Sequence, residues 1–277
     1  MSQIHPGEVV TVSARVRRIT APNPGVMTGP GTNAYILGDR EIGLIDPGPD
    51  IASHIEALLA LVGDRLRWIL CTHTHQDHSP AARAVREATG AQVIGMPPPD
   101  DGRQDLTFVP DWIMHDGERL QTPQFTLRAV HTPGHASNHL CYLLEEEQLL
   151  FTGDHVMQGS TVVIAPPDGN MIAYLTALER LLGFDLKRFG PGHGHVIETP
   201  HDEVRRLIKH RLARELKVVQ ALSRAGRGDL DKLVTFAYDD VSEKLHPVAR
   251  RSLLAHLLKL EQEGRVRREA DEWLAGS

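Results

Sequence analysis

Along the first 200 residues, short β-branched and apolar runs alternate with stretches whose apolar positions recur at helical spacing. Val9–Val16, Asn33–Leu37 and Ile42–Ile45 read as strands, separated by the turn-forming clusters Pro22-Asn23-Pro24-Gly25 and Gly29-Pro30-Gly31. Ile51–Val62 reads as a helix, with Ile55, Leu58, Leu59 and Val62 on one face. Trp68–Cys71, Gln92–Gly95, Phe125–Val130, His139–Leu144 and Leu149–Phe151 are further short strands. Met171–Leu182 is a helix capped by Asp168 or Asn170.

Beyond Pro200 the texture changes. His201–Ala225 is a long amphipathic helix, with Val204, Leu207, Ile208, Leu212 and Leu216 set among Arg, Lys and Glu. A Gly-bearing break at Arg224–Asp231 precedes helices at Lys232–Tyr238 and Pro247–Glu263 and a strand at Arg265–Arg268. Helices ending in a short hairpin resemble a winged-helix module. Two domains are therefore expected, residues 1–200 and 201–277. Charge agrees in a small way: residues 201–277 carry 16 Lys and Arg against 13 Asp and Glu, leaving 14 against 23 in the first 200. That excess is far from the basic stripe of a dedicated nucleic-acid binder.

Two cysteines, Cys71 and Cys141, are too few for a disulfide framework. No secretory signal precedes Val10, and no apolar run approaches the ~18–20 residues needed to span a bilayer. A cytoplasmic protein with no membrane partner is the expectation.

Sixteen histidines are unusual, and they cluster. Thr72-His73-Thr74-His75-Gln76-Asp77-His78 follows the Trp68–Cys71 strand, and Ser79-Pro80 reads as the N-cap and first residue of the next helix. His73 and His75, two apart, can project to one side, with Asp77 and His78 turning toward the same space. Imidazole nitrogens and carboxylate oxygens suit zinc, iron or manganese. Three more strand ends carry candidates: His135 in His131-Thr132-Pro133-Gly134-His135, Asp154 in Thr152-Gly153-Asp154-His155, and His193 in Gly190-Pro191-Gly192-His193-Gly194-His195. A lone histidine at a strand end is more often structural than catalytic. His131 reads as a packing residue, and His139, His155 and His195 as neighbours of the site. His54, His201, His210 and His246 carry no assignment.

His-x-His-x-Asp-His, then Gly-His, Gly-Asp and Pro-Gly-His, in this order at strand ends, resembles the metallo-β-lactamase superfamily across residues 9–200. The resemblance implies an α+β fold, an αββα sandwich of two mixed sheets flanked by helices. It implies two divalent ions, zinc first with manganese or iron as alternatives. His73, His75 and His135 would hold one, Asp77, His78 and His193 the second, and Asp154 would bridge them. Asp46 in Ile45-Asp46-Pro47-Gly48 matches a supporting Asp-x-Gly, with proline where threonine is usual. Two ions sharing a water lower its pKa from about 15.7 toward ~7 and yield a hydroxide nucleophile. Asp77 is the candidate catalytic group that takes up the nucleophile's proton.

The substrate is narrowed but not fixed. The superfamily's true β-lactamases have cysteine or serine at the bridging position, so Asp154 argues against them. The 39 positions from Asp154 to His193 leave no room for the insert domain of the large processing nucleases. Asn23–Tyr35 and Ser252–Gly264 resemble the β-lactamase-like protein 2 group, whose members include a single-strand endoribonuclease and fungal polyketide thioesterases. Thr74 and Ala136-Ser137-Asn138 depart from that group's pattern beside the metals. The leading expectation is a small-molecule ester, thioester or lactone. The alternative is single-stranded RNA, with Arg265, Arg267 and Arg268 as phosphate contacts. A third reading makes the C-terminal module a DNA-binding regulator. The simpler role for that module is to pack over the site or to form a homodimer contact.

Overall fold

A computed structural model describes residues 3–276; Met1, Ser2 and Ser277, the ends of the two expected domains, lie outside it. The strands are β1 (Val9–Thr11), β2 (Val16–Thr20), β3 (Asn33–Leu37), β4 (Ile42–Ile45), β5 (Leu66–Leu70), β6 (Gln92–Gly95), β7 (Trp112–Ile113), β8 (Arg119–Gln121), β9 (Thr126–His131), β10 (Leu140–Leu144), β11 (Leu149–Gly153), β12 (Arg188–Pro191), β13 (Arg227–Gly228), β14 (Val266–Glu269) and β15 (Glu272–Ala275). The helices are α1 (Ala52–Val62), α2 (Ala81–Thr89), α3 (Met171–Leu181), α4 (Pro200–Ala225), α5 (Leu230–Ala237) and α6 (His246–Gln262). They fall into two compact units, one of residues 1–132, 138–160 and 184–200, the other of 133–137, 161–183 and 201–277.

The first unit holds two mixed sheets, ordered β1-β2-β3-β4-β5-β6-β7 and β12-β11-β10-β9-β8. β3 shows why they stack. All five of its residues are buried, Tyr35 and Leu37 against Leu127, Tyr142 and Phe151 of the second sheet, Ala34 and Ile36 toward Leu58 and Val85 of α1 and α2. A strand buried on both faces is apolar throughout, and its alternation separates two cores instead of core from solvent. The expected single strand Val9–Val16 is a hairpin, because Val12 and Ser13 turn back with both amides donating to Val16 O. α2 begins at Ala81, and the Ser79 hydroxyl, expected as its cap, donates instead to Asp105 Oδ2 at 2.8 Å. The short strands β7, β8 and β12 give no sequence signal.

Parallel pairing places the chemistry. β4 runs parallel to β5, so Asp46 and His73 leave from the same end. β11 runs parallel to β12, so Asp154 and His193 do likewise, tied by Gly192 N–H donating to Gly153 O at 2.8 Å.

In the second unit, Asn170 caps α3 by accepting from Ala173 N–H, whereas Asp168 accepts from Ser137 N–H. α4, α5, α6 and the sheet β13-β15-β14 enclose a core of Val218, Leu222, Leu233, Leu257 and Trp273. This is the expected helix-plus-wing module. The wing's arginines are already engaged: Arg265 with Glu215 and Glu263, Arg267 with Glu269, Arg268 with Asp271.

Burial pushes the Glu215 carboxyl up, but His256, Lys259 and Arg265 outweigh it and hold it at about 2. A depressed carboxylate stabilises the fold above its unfolded value, 4.5, and that contribution is lost as pH falls toward 2. Glu215→Gln is therefore expected to cost on the order of 2 kcal/mol at pH 7. In thermal melts the gap between variant and wild type should narrow at pH 3; a constant gap means the charge plays no part.

Candidate metal centre

The loop after β5 carries His73, His75, Asp77 and His78, and a carboxylate beneath it orients His78 directly and His73 through Thr72. Asp46 accepts from Thr72 N–H at 2.7 Å through Oδ1, and through Oδ2 from the Thr72 hydroxyl at 2.8 Å and His78 Nδ1–H at 2.9 Å. Having given its proton to Asp46, the Thr72 hydroxyl is left to accept from His73 Nδ1–H at 3.0 Å. Asp46 itself holds a left-handed backbone, φ 50°, a conformation that costs a non-glycine residue on the order of 1 kcal/mol. Behind it, the His54 ring donates to Pro47 O at 3.0 Å and packs under Gly48.

The other histidines repeat the arrangement. His193 Nδ1–H donates to Gly31 O at 3.1 Å, and His135 Nδ1–H to Val163 O at 2.8 Å. Carbonyl and carboxylate oxygens cannot donate, so these contacts place the proton on Nδ1 and the lone pair on Nε2. Fixing the tautomer through the remote nitrogen is how proteins aim an imidazole at a metal.

The aimed atoms converge. His78 Nε2 lies 3.5 Å from Asp77 Oδ2 and 3.4 Å from Asp154 Oδ1; His193 Nε2 lies 3.3 Å from each of the same two oxygens. Four ligands at 2.0–2.2 Å from one ion stand about 3.3–3.6 Å apart in a tetrahedron. The four histidine–carboxylate distances have that spacing, and His78 Nε2 and His193 Nε2 are buried with no hydrogen-bond partner. The donor set fits a divalent cation. His73, His78 and Asp154 form a second group of donor atoms within 4.8 Å of one another, so Asp154 faces both halves of the cluster. The His73 ring centroid is 4.6 Å from that of His75 and 4.3 Å from that of His78.

Electrostatics agree. Burial, then the neighbouring His78, His75 and His139, hold His73 well below its ordinary value, neutral and able to ligate. Burial works against charge on His193 too, but Asp154 and Asp77 raise it to about 10 in the metal-free protein. Asp77, pushed up by burial, is held at about 2 by His78 and His193. Protons and metal thus compete for the same nitrogens.

Sequence reasoning left His139, Thr72 and Asn33 without defined roles. His139 Nε2 accepts from Asp154 N–H at 3.2 Å, and its Nδ1 pairs with the Thr132 hydroxyl. Asn33 Nδ2 donates to Pro191 O and Gly194 O, clamping the turn that presents His193. Thr72, adjacent to His73, was detectable; Asn33, 160 positions from His193, was not.

Gly192 shows how closely the backbone approaches. A Cβ there would lie 2.8 Å from Asp154 Oδ1 and 2.8 Å from His78 Cε1. Gly192→Ala is expected to weaken metal binding about 10–100-fold by displacing these two groups. Titration with a chelating zinc indicator measures this, and unchanged affinity contradicts the geometry.

Residues 27–193 match the family model of the metallo-beta-lactamase superfamily, and residues 230–273 that of the beta-lactamase associated winged helix domain. The chain is 31% identical to the beta-lactamase-like protein 2 homolog of Drosophila melanogaster, over 95% of this chain and 94% of that one. It is 34% identical to an atrochrysone carboxyl ACP thioesterase of Aspergillus fumigatus, over 79% and 69%. Its fold matches the metallo-beta-lactamase family protein TTHA1429 of Thermus thermophilus, TM-score 0.81 at 22% identity, covering 96% of this chain and all of that one.

Proposed function

The chain belongs to the metallo-β-lactamase superfamily and is a metal-dependent hydrolase, and on that footing we propose that it hydrolyses thioesters of apolar acyl groups. The observation that carries this is a groove of about 510 Å³ running to His193, its wall formed by Pro24, Val26, Met27, Pro30 and Met157. An apolar acyl chain laid there puts its carbonyl at the donor cluster. The relative named as an acyl-carrier thioesterase supports the same substrate class.

We take the resident ions to be two and to be zinc, which nitrogen-rich four-coordinate sets favour. His73, His75 and His135 hold one, Asp77, His78 and His193 the other, and Asp154 lies against both. Ions bound there supply Lewis acidity at the acyl carbonyl and a nucleophile available at neutral pH. Asp46, through Thr72 and His78, keeps the ligand lone pairs aimed; His139 fixes the backbone of Asp154. Asp77, held at about 2, is a weak base, so ligation is its first role and proton uptake its second.

Residues 1–200 are proposed as the catalytic domain and 201–277 as an accessory one. The ribonuclease reading lacks comparable support, since Arg265, Arg267 and Arg268 are paired with carboxylates. Cys71 and Cys141 are buried and not joined in a disulfide, which suits the proposed cytoplasmic setting; among the described residues no helix is long and apolar enough to cross a membrane.

The test sets zinc-loaded protein against octanoyl- and butyryl-N-acetylcysteamine and a labelled single-stranded RNA. Thiol release, faster for octanoyl, is expected. RNA cleavage without thiol release would overturn the proposal.

A further inference from the structure

A buried charge with no counter-charge points to a missing partner. Arg18 stands in mid-β2, opposite Tyr35 of β3, and is only 5% exposed. Its guanidinium makes one hydrogen bond, Nη1 to Gly194 O at 3.3 Å, while Nε has no partner. Among the described residues no carboxylate oxygen lies within ion-pair distance. Removing a guanidinium from water is costly unless an anion compensates.

Arg18 lines a second groove, of about 650 Å³, in which Gln3, Ile4 and His195 also line the groove that runs to His193. The two grooves therefore adjoin along Gln3, Ile4 and His195. Arg188, on the same wall, is already paired with Glu147 and with Val12 O. Glu8 and Glu198 are exposed, and neither pairs with Arg18.

We propose that Arg18 is the anion-binding residue of this second groove and grips an oxyanion, carboxylate or phosphate, carried by the substrate of the hydrolysis proposed above. The oxyanion belongs to the far end of the acyl group or to the thiol leaving group. A carboxylate or phosphate accepts two parallel bonds from a guanidinium, which gives Arg18 the hydrogen bonds the fold withholds.

Two substrate pairs separate these sources: glutaryl- against butyryl-N-acetylcysteamine for the acyl side, and butyryl-coenzyme A against butyryl-N-acetylcysteamine for the thiol side. Arg18→Gln is expected to raise KM about tenfold for the anionic member of one pair and less than about twofold for its neutral partner, the loss of one charge-assisted contact. Arg18→Lys, which keeps the charge, should restore part of the difference and guards against misfolding of the Gln variant. Equal changes for anionic and neutral substrates in both pairs would make Arg18 only a brace for Gly194 and would overturn the proposal. Calorimetric titration with glutarate and with inorganic phosphate needs no turnover, so it tests the anion site even if thioesters are not cleaved. Binding by wild type that is lost in Arg18→Gln supports the site; identical heats in both proteins, or none in either, refute it.

Discussion

Alanine at position 154 removes hydrolysis, lowering kcat roughly 10³-fold or more, equivalent to about 4 kcal/mol of transition-state stabilisation. Asp154 Oδ1 stands 3.4 Å from His78 Nε2 and 3.3 Å from His193 Nε2, and groups with His73 and His78 as well. Among the described residues it is the carboxylate that groups with both His73 and His78 and also meets His193. Without it, two histidines held by their far nitrogens point at a space with one less negative charge, and a divalent cation there loses a strong ligand. The fold also loses some stability, because His193 and His78 outweigh burial and hold the Asp154 carboxyl well below the usual carboxylate range, a favourable pairing that alanine removes. The expected outcome is a cooperative thermal melt, reduced metal content and no turnover. Full activity in Asp154→Ala contradicts the assignment.

Asp46→Asn is the sharper substitution, since it exchanges one oxygen for NH2 and reverses the logic of the site. Oδ2 receives both the Thr72 hydroxyl and His78 Nδ1–H, and Oδ1 receives Thr72 N–H. An asparagine amide must place its NH2 against donors whichever way it is flipped. Turned with its NH2 toward His78, the amide forces that proton to Nε2, where hydrogen instead of a lone pair would face a cation; turned the other way, it opposes Thr72 N–H. Metal affinity is expected to fall about 10–100-fold, the usual cost of losing an orienting partner, with a stability loss of about 2 kcal/mol from buried groups left unsatisfied. Zinc titration and chemical denaturation read the two effects separately. A variant that loses stability but binds zinc like wild type shows that Asp46 is structural only.

The seven ligand candidates stand out in the sequence because they are concentrated. Four lie within six residues after a strand, and the others follow Gly or Pro-Gly turns at strand ends, where backbone can approach a ligand. The core strands β3, β4 and β6 were legible to the residue because they are apolar runs bounded by turn residues. Two-residue β7 and the glycine- and proline-bearing β12 carry no pattern, since pairing to a neighbour, not their own side chains, makes them strands. The Val9–Thr20 hairpin reads as one strand over Val9–Val16 because the sequence there is β-rich and the turn, Val12 to Arg15, lacks glycine and proline. His54 drew no assignment, since a lone histidine on a helix does not reveal that it braces Pro47. Arg18 is invisible for the same reason: only the fold shows that, among the described residues, no carboxylate meets it.

The most direct test counts metal in the purified protein by inductively coupled plasma mass spectrometry, alongside thiol release before and after dialysis against a chelator. Two divalent ions per chain are expected, with activity lost on their removal and regained on adding zinc. A chain that carries no bound metal, or that hydrolyses thioesters unchanged after chelation, would contradict a metal-dependent site built from these residues.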